Sequence, residues 1–515
     1  MKKIAFIFLF ILGMAVAGEV FIPHSTRFAF AQMVTPPPMA SPTPIPIEGL
    51  PDFWQNYRAV SPDFWEKVSG YIKEQNWTEV IARGNDRLEV VKKDSLDGGE
   101  AQLMQAYGLQ RLGFSFAASE IYADLVRAKV GTTVAERGLM GLEDIAINHS
   151  VDPDFIYGEI LNDVEFAPLP EGLQSFVSFH NAQFNLQHGF DKWGEAELKK
   201  ISPESFWGLK LKYIDALKEV KNKKIDAAIE KFKALADDPK SHENIKSDAT
   251  HQLARLIFEK GDYAESYKIF KTIKLSMRER GFILLERAWS RYYMKDYSRA
   301  LGLLTAYEAP MFDPSRTPEA YILKMIMYKE LCHFDAALEV MKEFNDRYRS
   351  SLTRIKKRKD LRKDQLLVNM ALLDQHYQPW ADYLNLLRDE QDGFKRLGWD
   401  DYDFYPTQVM RYKDKIAETE TRLNRILEDK TREMANLLLD FNEQMTFLDY
   451  ATRLDSLRII RRGDELQYRS ATIPGLTFDK IYWLFDGEFW LDELEDMKGF
   501  IESRCGTQPD EEGGS

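Results

Sequence analysis

Several features that would indicate an enzyme or a nucleic-acid-binding protein are missing from the 515-residue sequence. It has no glycine-rich phosphate-binding loop, no His-Glu-x-x-His zinc motif and no Gly-x-Ser-x-Gly nucleophile elbow. Its 8 histidines are scattered, and none is spaced with cysteines or acids as a zinc site requires. The net charge of −13 is opposite to the basic surface that binds nucleic acids. We therefore expect no catalytic residues, no cofactor, no metal and no nucleic-acid partner.

Cysteine is nearly absent, since Cys332 and Cys505 are the only two. Two cysteines so far apart do not form the disulfide framework of a small secreted domain. The sequence leaves two alternatives open: a pair of free or buried thiols, or a single long-range disulfide in an oxidising compartment.

Long hydrophobic runs are also absent, except near the N-terminus between Ile4 and Ala17. This run is about fourteen residues long, whereas a bilayer span needs roughly 20. It follows Lys2-Lys3 and ends in Ala15-Val-Ala17, the small residues that signal peptidase recognises. We predict a signal peptide at residues 1–17, with a second candidate cleavage site after Ala31. The mature chain is expected to be periplasmic, without a lipid anchor or a transmembrane span.

Residues 18–50 are rich in proline and predict an extended linker. From residue 51 onward, apolar residues recur at helical spacing and β-alternation is nearly absent. Helix starts are well marked, as in Ser61-Pro62-Asp63, which offers an N-cap, a first-turn proline and an acid. The fold class predicted from this pattern is all-α.

The helices occur in pairs, and the pairs repeat. Tyr263 and Tyr297 occupy equivalent positions, and their separation of about 34 residues is typical of repeats built from two helices. A small residue three positions after the turn recurs with a similar period, at Ala228, Ser266, Ala300 and Ala337. A weaker copy places Ala118 before Tyr122. A small residue at this position lets two helices cross at close range.

This pattern resembles the tetratricopeptide repeat family. The resemblance is clear for residues 214–345 and weaker for residues 51–213, which we interpret as degenerate repeats. The tryptophan usual in the first helix is replaced, for example by Thr250 and Leu284. The resemblance implies a right-handed α-superhelix, or solenoid, whose concave groove binds peptides or proteins.

In this family the first helix of each repeat lines the groove. Carried over to this chain, the resemblance implies partner-binding residues in three successive repeats: His251, Arg255 and Phe258; Trp289, Tyr292 and Tyr293; and Lys329. Trp289 and Tyr292 are the main candidates, because exposed aromatic side chains often anchor a partner. Their packing between successive hairpins is the open alternative.

Residues 346–470 are predicted to form long amphipathic helices, arranged as a hairpin or a short coiled coil. No glycine or proline interrupts Thr407 to Arg462. The basic stretch from Arg347 to Lys363 allows either an anionic partner or a solvated helix face.

Residues 471–505 contain the stretch from Ile481 to Leu494, which combines aromatic rings with carboxylates. Two opposed carboxylates would suit a glycosidase, but helical spacing scatters these acids among the rings. We predict an aromatic-rich helical cap here, with Trp483 and Trp490 as candidate docking residues, followed by a disordered tail at 506–515. The stretch is loosely similar to C-terminal segments of exported repeat proteins in gliding and predatory bacteria.

Together these observations predict a non-catalytic scaffold or adaptor in a cell-envelope complex for motility, transport or surface assembly. Its partners would be proteins or peptides of that complex. The alternative function is binding of peptidoglycan or another glycan through aromatic-rich surfaces.

Overall fold

The structure is a computed structural model of the chain. It describes residues 51–54, 57–129, 131–149, 161, 166, 168–273, 277–374, 376–462, 485–490 and 493–505. The predicted signal peptide, the linker, the tail and Trp483 lie outside these residues. Within the described ranges the regular elements are helices and there is no β-strand, which confirms the all-α fold class. No helix there is long and apolar enough to cross a membrane.

The described residues form eighteen α-helices. The first nine are α1 Pro62–Lys73, α2 Trp77–Val90, α3 Leu96–Arg111, α4 Ser115–Ala128, α5 Thr133–Asn148, α6 Glu171–Gln187, α7 Asp191–Leu198, α8 Phe206–Lys221 and α9 Ile225–Asp237. The other nine are α10 Glu243–Glu259, α11 Tyr263–Thr272, α12 Met277–Tyr293, α13 Tyr297–Tyr307, α14 Glu319–Glu330, α15 Phe334–Lys356, α16 Gln365–Leu372, α17 Gln378–Arg396 and α18 Tyr405–Arg462.

Short 3₁₀-helices lie at Asp52–Trp54, Pro310–Ser315 and Leu361–Lys363. The chain divides into two compact units. Within the described residues, the first unit is drawn from Phe30–Lys246 and Gln378–Leu423, and the second from Ser247–Tyr377 and Asn424–Ser515.

One turn geometry recurs along the chain. In each case a helix ends at a residue with positive φ, and the next residue donates its N–H to a carbonyl five positions back, as Asp262 does to Ile257 at 3.2 Å. This is the Schellman arrangement, which uses the last free carbonyls of the helix. A new helix begins two residues after the positive-φ residue. The positions are Gln75, Gly113, Gly189, Lys223, Gly261, Lys295 and Cys332.

Neighbouring turns in this series follow one another with a period of roughly 35 residues, in the range of repeats built from two helices. The exception is the interval from Gly113 to Gly189, which is about twice as long. The turn therefore repeats with the period that the sequence predicted, and it joins consecutive helices into hairpins. Four of the seven positions lack glycine, although the conformation favours it.

The small residues of the repeat lie where the two helices of each hairpin meet. Ala118, Ala228, Ser266, Ala300 and Ala337 are all completely buried. The hydroxyl of Ser266 on α11 donates to the carbonyl oxygen of Ala254 on α10 at 2.8 Å. A larger side chain at these positions would separate the paired helices.

In the first unit, Glu390 on α17 caps the N-terminus of α4. Its carboxylate accepts hydrogen bonds from the backbone N–H groups of Ser115 (2.8 Å) and Phe116 (2.9 Å) and from the hydroxyl of Tyr412 (2.7 Å). These N–H groups have no partner within their own helix, so an acid is favourable there. Burial raises the pKa of Glu390 to about 8, although the hydrogen bonds act in the opposite direction.

Residues 406–460 belong to one continuous helix, α18. The chain therefore does not form the predicted hairpin within this segment. An antiparallel pair is formed instead by α17 and the first part of α18, where Arg388 and Glu420 are 2.6 Å apart and Arg422 lies over Trp380. The absence of glycine and proline explains the uninterrupted helix.

The C-terminal residues differ from the prediction. Residues 485–490 and 493–505 contain turns and extended backbone, so the expected helical cap is wrong for them. Gly487 has a φ of +108°, a conformation that no helix uses. We call residues 493–505 the C-terminal strap. A disulfide between Cys332 and Cys505 fixes its end, so the sequence alternative of two free thiols is wrong.

Candidate interaction surface

The predicted groove residues of the first repeat lie around a buried carboxylate of the second. Nε2 of His251 is 2.7 Å from Oε2 of Glu286, and Nε of Arg255 donates to Oε1 of Glu286 at 2.7 Å. Burial alone would raise the pKa of Glu286, but the charges and hydrogen bonds of Arg255 and His251 lower it to about 2. This cluster joins α10 to α12 and keeps Glu286 ionised.

Three aromatic rings form a stack beside this cluster. Tyr263 and Tyr293 are nearly parallel, with ring centroids 4.6 Å apart, and Phe258 packs edge-on against both. Phe258 is buried, whereas Tyr293 is partly exposed. The predicted residues Phe258 and Tyr293 therefore lie together, and only the tyrosine contributes to the surface.

Trp289 is buried, with 3% of its surface exposed, and its indole Nε1 donates to Oε1 of Glu319 at 2.7 Å. Burial raises the pKa of Glu319 to about 7, although the hydrogen bond from Trp289 acts in the opposite direction. Tyr292 is also buried and donates its hydroxyl to Oε1 of Glu330 at 2.7 Å. These contacts correspond to the alternative of packing between successive hairpins.

Lys329 on α14 is partly exposed and forms an ion pair with Asp455 of α18 at 2.7 Å. In the second unit, Lys430 of the same long helix pairs with Asp374 at 3.4 Å. The predicted groove lysine is therefore engaged by the chain itself. Sequence analysis did not anticipate this contact, because nothing local to Lys329 indicates where α18 lies.

Most of the residues that the structure describes in the aromatic C-terminal stretch are exposed. Trp490 has 61% of its surface exposed, and Phe485 has 50%. The rings of Phe485 and Phe489 pack edge-on at 5.0 Å. Leu494, at the start of the strap, is buried, so the stretch combines an anchored end with exposed rings.

The strap lies against α13 and the turn before α15. Gly499 donates its N–H to the carbonyl of Ser298 at 2.9 Å, and Arg504 donates its N–H to the carbonyl of Leu331 at 2.9 Å. A Cβ placed on Gly302 would overlap the carbonyl oxygen of Met497. The backbone of the strap thus runs directly over α13 at Gly302.

Two further exposed apolar groups were not singled out from the sequence. On α7 and the turn before it, Trp193 and Phe190 are exposed by 74% and 55%. On α18, Phe447, Tyr450 and Leu457 are exposed by 53–69%, while Phe441 and Met445 are buried. Apolar residues therefore occupy more than one face of α18. The spacing of these residues in the sequence could have predicted an exposed apolar face on this helix.

In the part of the chain that the structure describes, these surfaces offer hydrogen-bonding, charged and aromatic groups. Within the ranges that the structure describes, no group of three or more His, Cys, Asp or Glu residues could hold a metal ion. The interactions observed at these surfaces are apolar contact, ring stacking and ion pairing.

Comparison with models of known protein families finds no match to this chain, and comparison with curated proteins finds none.

Proposed function

We propose that the protein is a non-catalytic scaffold or adaptor of the tetratricopeptide repeat type, exported to the periplasm of a bacterium. The observation that carries the proposal is the series of helical hairpins joined by one recurring turn with a period of roughly 35 residues. Hairpins of this kind stack to bury their apolar faces and present long surfaces to partners.

The exposed aromatic groups support a role in binding. Trp193, Trp490 and Phe447 are exposed by 74%, 61% and 69%. Large apolar side chains grouped on a surface mark sites of protein interaction. We assign partner contact to these exposed rings, whereas the buried Trp289 and Tyr292 stabilise the packing of α12 against α14 through Glu319 and Glu330.

The disulfide supports the proposed location. Cys332 and Cys505 are bonded in the structure, and such bonds persist in oxidising compartments such as the periplasm. The apolar N-terminal run followed by Ala15-Val-Ala17 supports export by a signal peptide.

Binding of a glycan is the second candidate function. It is favoured by the neighbouring exposed rings of Phe190 and Trp193, because flat apolar rings can stack on the apolar faces of sugars. A scaffold should bind envelope proteins, whereas a glycan-binding protein should bind the cell wall itself.

The test is to incubate the purified mature chain with envelope extract and, separately, with purified cell wall. A scaffold captures specific envelope proteins, and replacing Trp490 and Phe447 by alanine reduces that capture. Retention on cell wall, lost in Trp193→Ala, without any captured protein would contradict the scaffold proposal and support glycan binding.

A further inference from the structure

A cleft rich in positive charge lies in the second unit, at the edge of α11, α12, α13 and the strap. It consists of two cavities of about 250 Å³ and 290 Å³ that share Lys271 and Glu495 in their walls. The cationic side chains that line the two cavities are Lys271, Arg280, Arg287, Arg291, Arg299 and Lys498.

The acids near the cleft do not balance these charges. Glu495 and Asp496 of the strap line it, and Asp296 is bonded to both Arg291 (3.1 Å) and Arg299 (2.8 Å). Among the described residues, six cationic side chains and two carboxylates, those of Glu495 and Asp496, line the two cavities, in a chain whose net charge is −13. Lys271 has no ion-pair partner among the described residues. A concave site lined by one sign of charge concentrates ions of the opposite sign.

The most buried cation of the cleft is Arg287, which is 2% exposed. Its Nη1 is 2.8 Å from Oε2 of Glu495, and its Nη2 donates to the hydroxyl of Tyr267 at 3.2 Å. Its Nε has no hydrogen-bond partner among the described residues. A buried donor without a partner is unfavourable, and a charged donor especially so.

Arg291 repeats this arrangement closer to the opening. Its guanidinium carbon lies 3.8 Å from the centre of the Tyr267 ring, and its Nε also has no partner among the described residues. Burial would raise the pKa of Tyr267, but the hydrogen bonds and charges of Arg287 and Arg291 outweigh it and lower that pKa. The tyrosine thus experiences a strongly positive environment.

We propose that this cleft binds a phosphate-type oxyanion, carried by a phosphorylated small molecule or by a lipid headgroup. The guanidinium groups of Arg291 and Arg299, which line the same cavity, match the multiple acceptor oxygens of a phosphate, because each can form charge-assisted hydrogen bonds. Arg291, Arg299 and Lys271 are the principal contacts, while Arg287 remains bound to Glu495. A cavity of about 250 Å³ holds a phosphate together with part of the group that carries it.

The test is calorimetric titration of the purified mature chain with inorganic phosphate and pyrophosphate, at constant ionic strength set with chloride. Wild type is expected to bind, and Arg291→Gln and Lys271→Gln to bind at least tenfold more weakly. Lys268→Gln is the matched control, because Lys268 is on the same helix but pairs with the exposed Glu265 outside the cleft. Lys271 is exposed, so its variant is expected to fold even if the Arg291 variant does not.

A second arm uses vesicles with and without an anionic phospholipid. Binding of soluble phosphate that depends on Lys271 supports the site with a small-molecule source. Binding only to the anionic vesicles, lost in Lys271→Gln, supports the site with a headgroup source. No binding in either arm, or equal binding by Lys271→Gln and Lys268→Gln, overturns the proposal.

Discussion

Ser298 and Gly499 exchange two hydrogen bonds, one from the N–H of Gly499 to the carbonyl of Ser298 at 2.9 Å and one from the Ser298 hydroxyl to the carbonyl of Gly499 at 2.6 Å. The strap is therefore attached to α13 through its own backbone. This attachment depends on the close approach of the two backbones.

Replacing Gly302 by alanine is expected to detach the strap from α13. The new Cβ would overlap the carbonyl oxygen of Met497, and both atoms are too rigidly held to move apart cheaply. Amide hydrogen exchange should show loss of protection at Gly499 and Arg504. Gly70→Ala is the control, because a Cβ there meets nothing within 4 Å. Unchanged protection at Gly499 in the Gly302 variant would show that the strap is held in some other way.

Removal of the disulfide is expected to lower the free energy of unfolding. Cys332 and Cys505 are separated by 173 residues. A disulfide that closes so long a loop restricts the unfolded chain and thereby raises the free energy of unfolding by about 2–5 kcal/mol. Calorimetry of Cys332→Ser should give a lower Tm than the oxidised wild type. Reductant should lower the Tm of the wild type to the same extent and leave that of the variant unchanged. A wild-type Tm that does not respond to reductant would contradict the prediction.

Glu286 is expected to make the second unit sensitive to acid. Its folded pKa of about 2 is below the ordinary value of 4.5, so the ionised form contributes stability that is complete above about pH 4.5. That contribution, about 3 kcal/mol, is lost as the pH falls toward 2. Glu286→Gln should be destabilised at pH 7, and its stability should fall less than that of the wild type between pH 4.5 and pH 2.

The control for Glu286 is Glu265→Gln, which changes an exposed carboxylate whose ion-pair partner among the described residues is Lys268. Its acid denaturation curve should follow that of the wild type. If Glu286→Gln also follows the wild type, the cluster with His251 and Arg255 does not stabilise the fold.

Replacement by alanine is expected to destabilise the protein strongly at Trp289 and hardly at all at Trp193. Trp289 is buried and hydrogen-bonded to Glu319, so its loss should cost about 3–5 kcal/mol by leaving a cavity and an unpaired acid. Trp193 is 74% exposed, so its replacement should change stability by less than about 0.5 kcal/mol. Denaturant unfolding measures both values. Equal effects of the two replacements would contradict the assigned burial.

The sequence was sufficient to predict the helical hairpins because their signals are local and periodic. The small residues Ala228, Ser266 and Ala300 recur at the contact between paired helices, and each is completely buried. The recurring turn was harder to recognise from the sequence. Lys223 and Lys295 adopt a positive φ, a conformation for which glycine is the usual sequence signal.

The remaining features depend on contacts between residues that are distant in sequence. Glu390 caps α4 from 275 residues away, and the path of the strap depends on Gly302, Ser298 and Cys332. The helical spacing assumed for the aromatic stretch failed at residues 485–490, which form a bend and extended backbone, and the strap that follows bonds through Gly499 and Arg504 to Ser298 and Leu331. Periodicity also could not distinguish the buried Trp289 from the exposed Trp193, because both are aromatic residues on helices.

The most direct test of the proposed scaffold function is quantitative capture of envelope proteins by the mature chain and by two variants of equal stability. One variant replaces the exposed rings Phe447 and Trp490 by alanine, and the other replaces the exposed Lys342 and Lys268 by glutamine. We predict that the same envelope proteins are captured by the wild type and the lysine variant, and that the aromatic variant captures at least tenfold less. Equal capture by all three, or no specific protein captured by the wild type, would contradict the account.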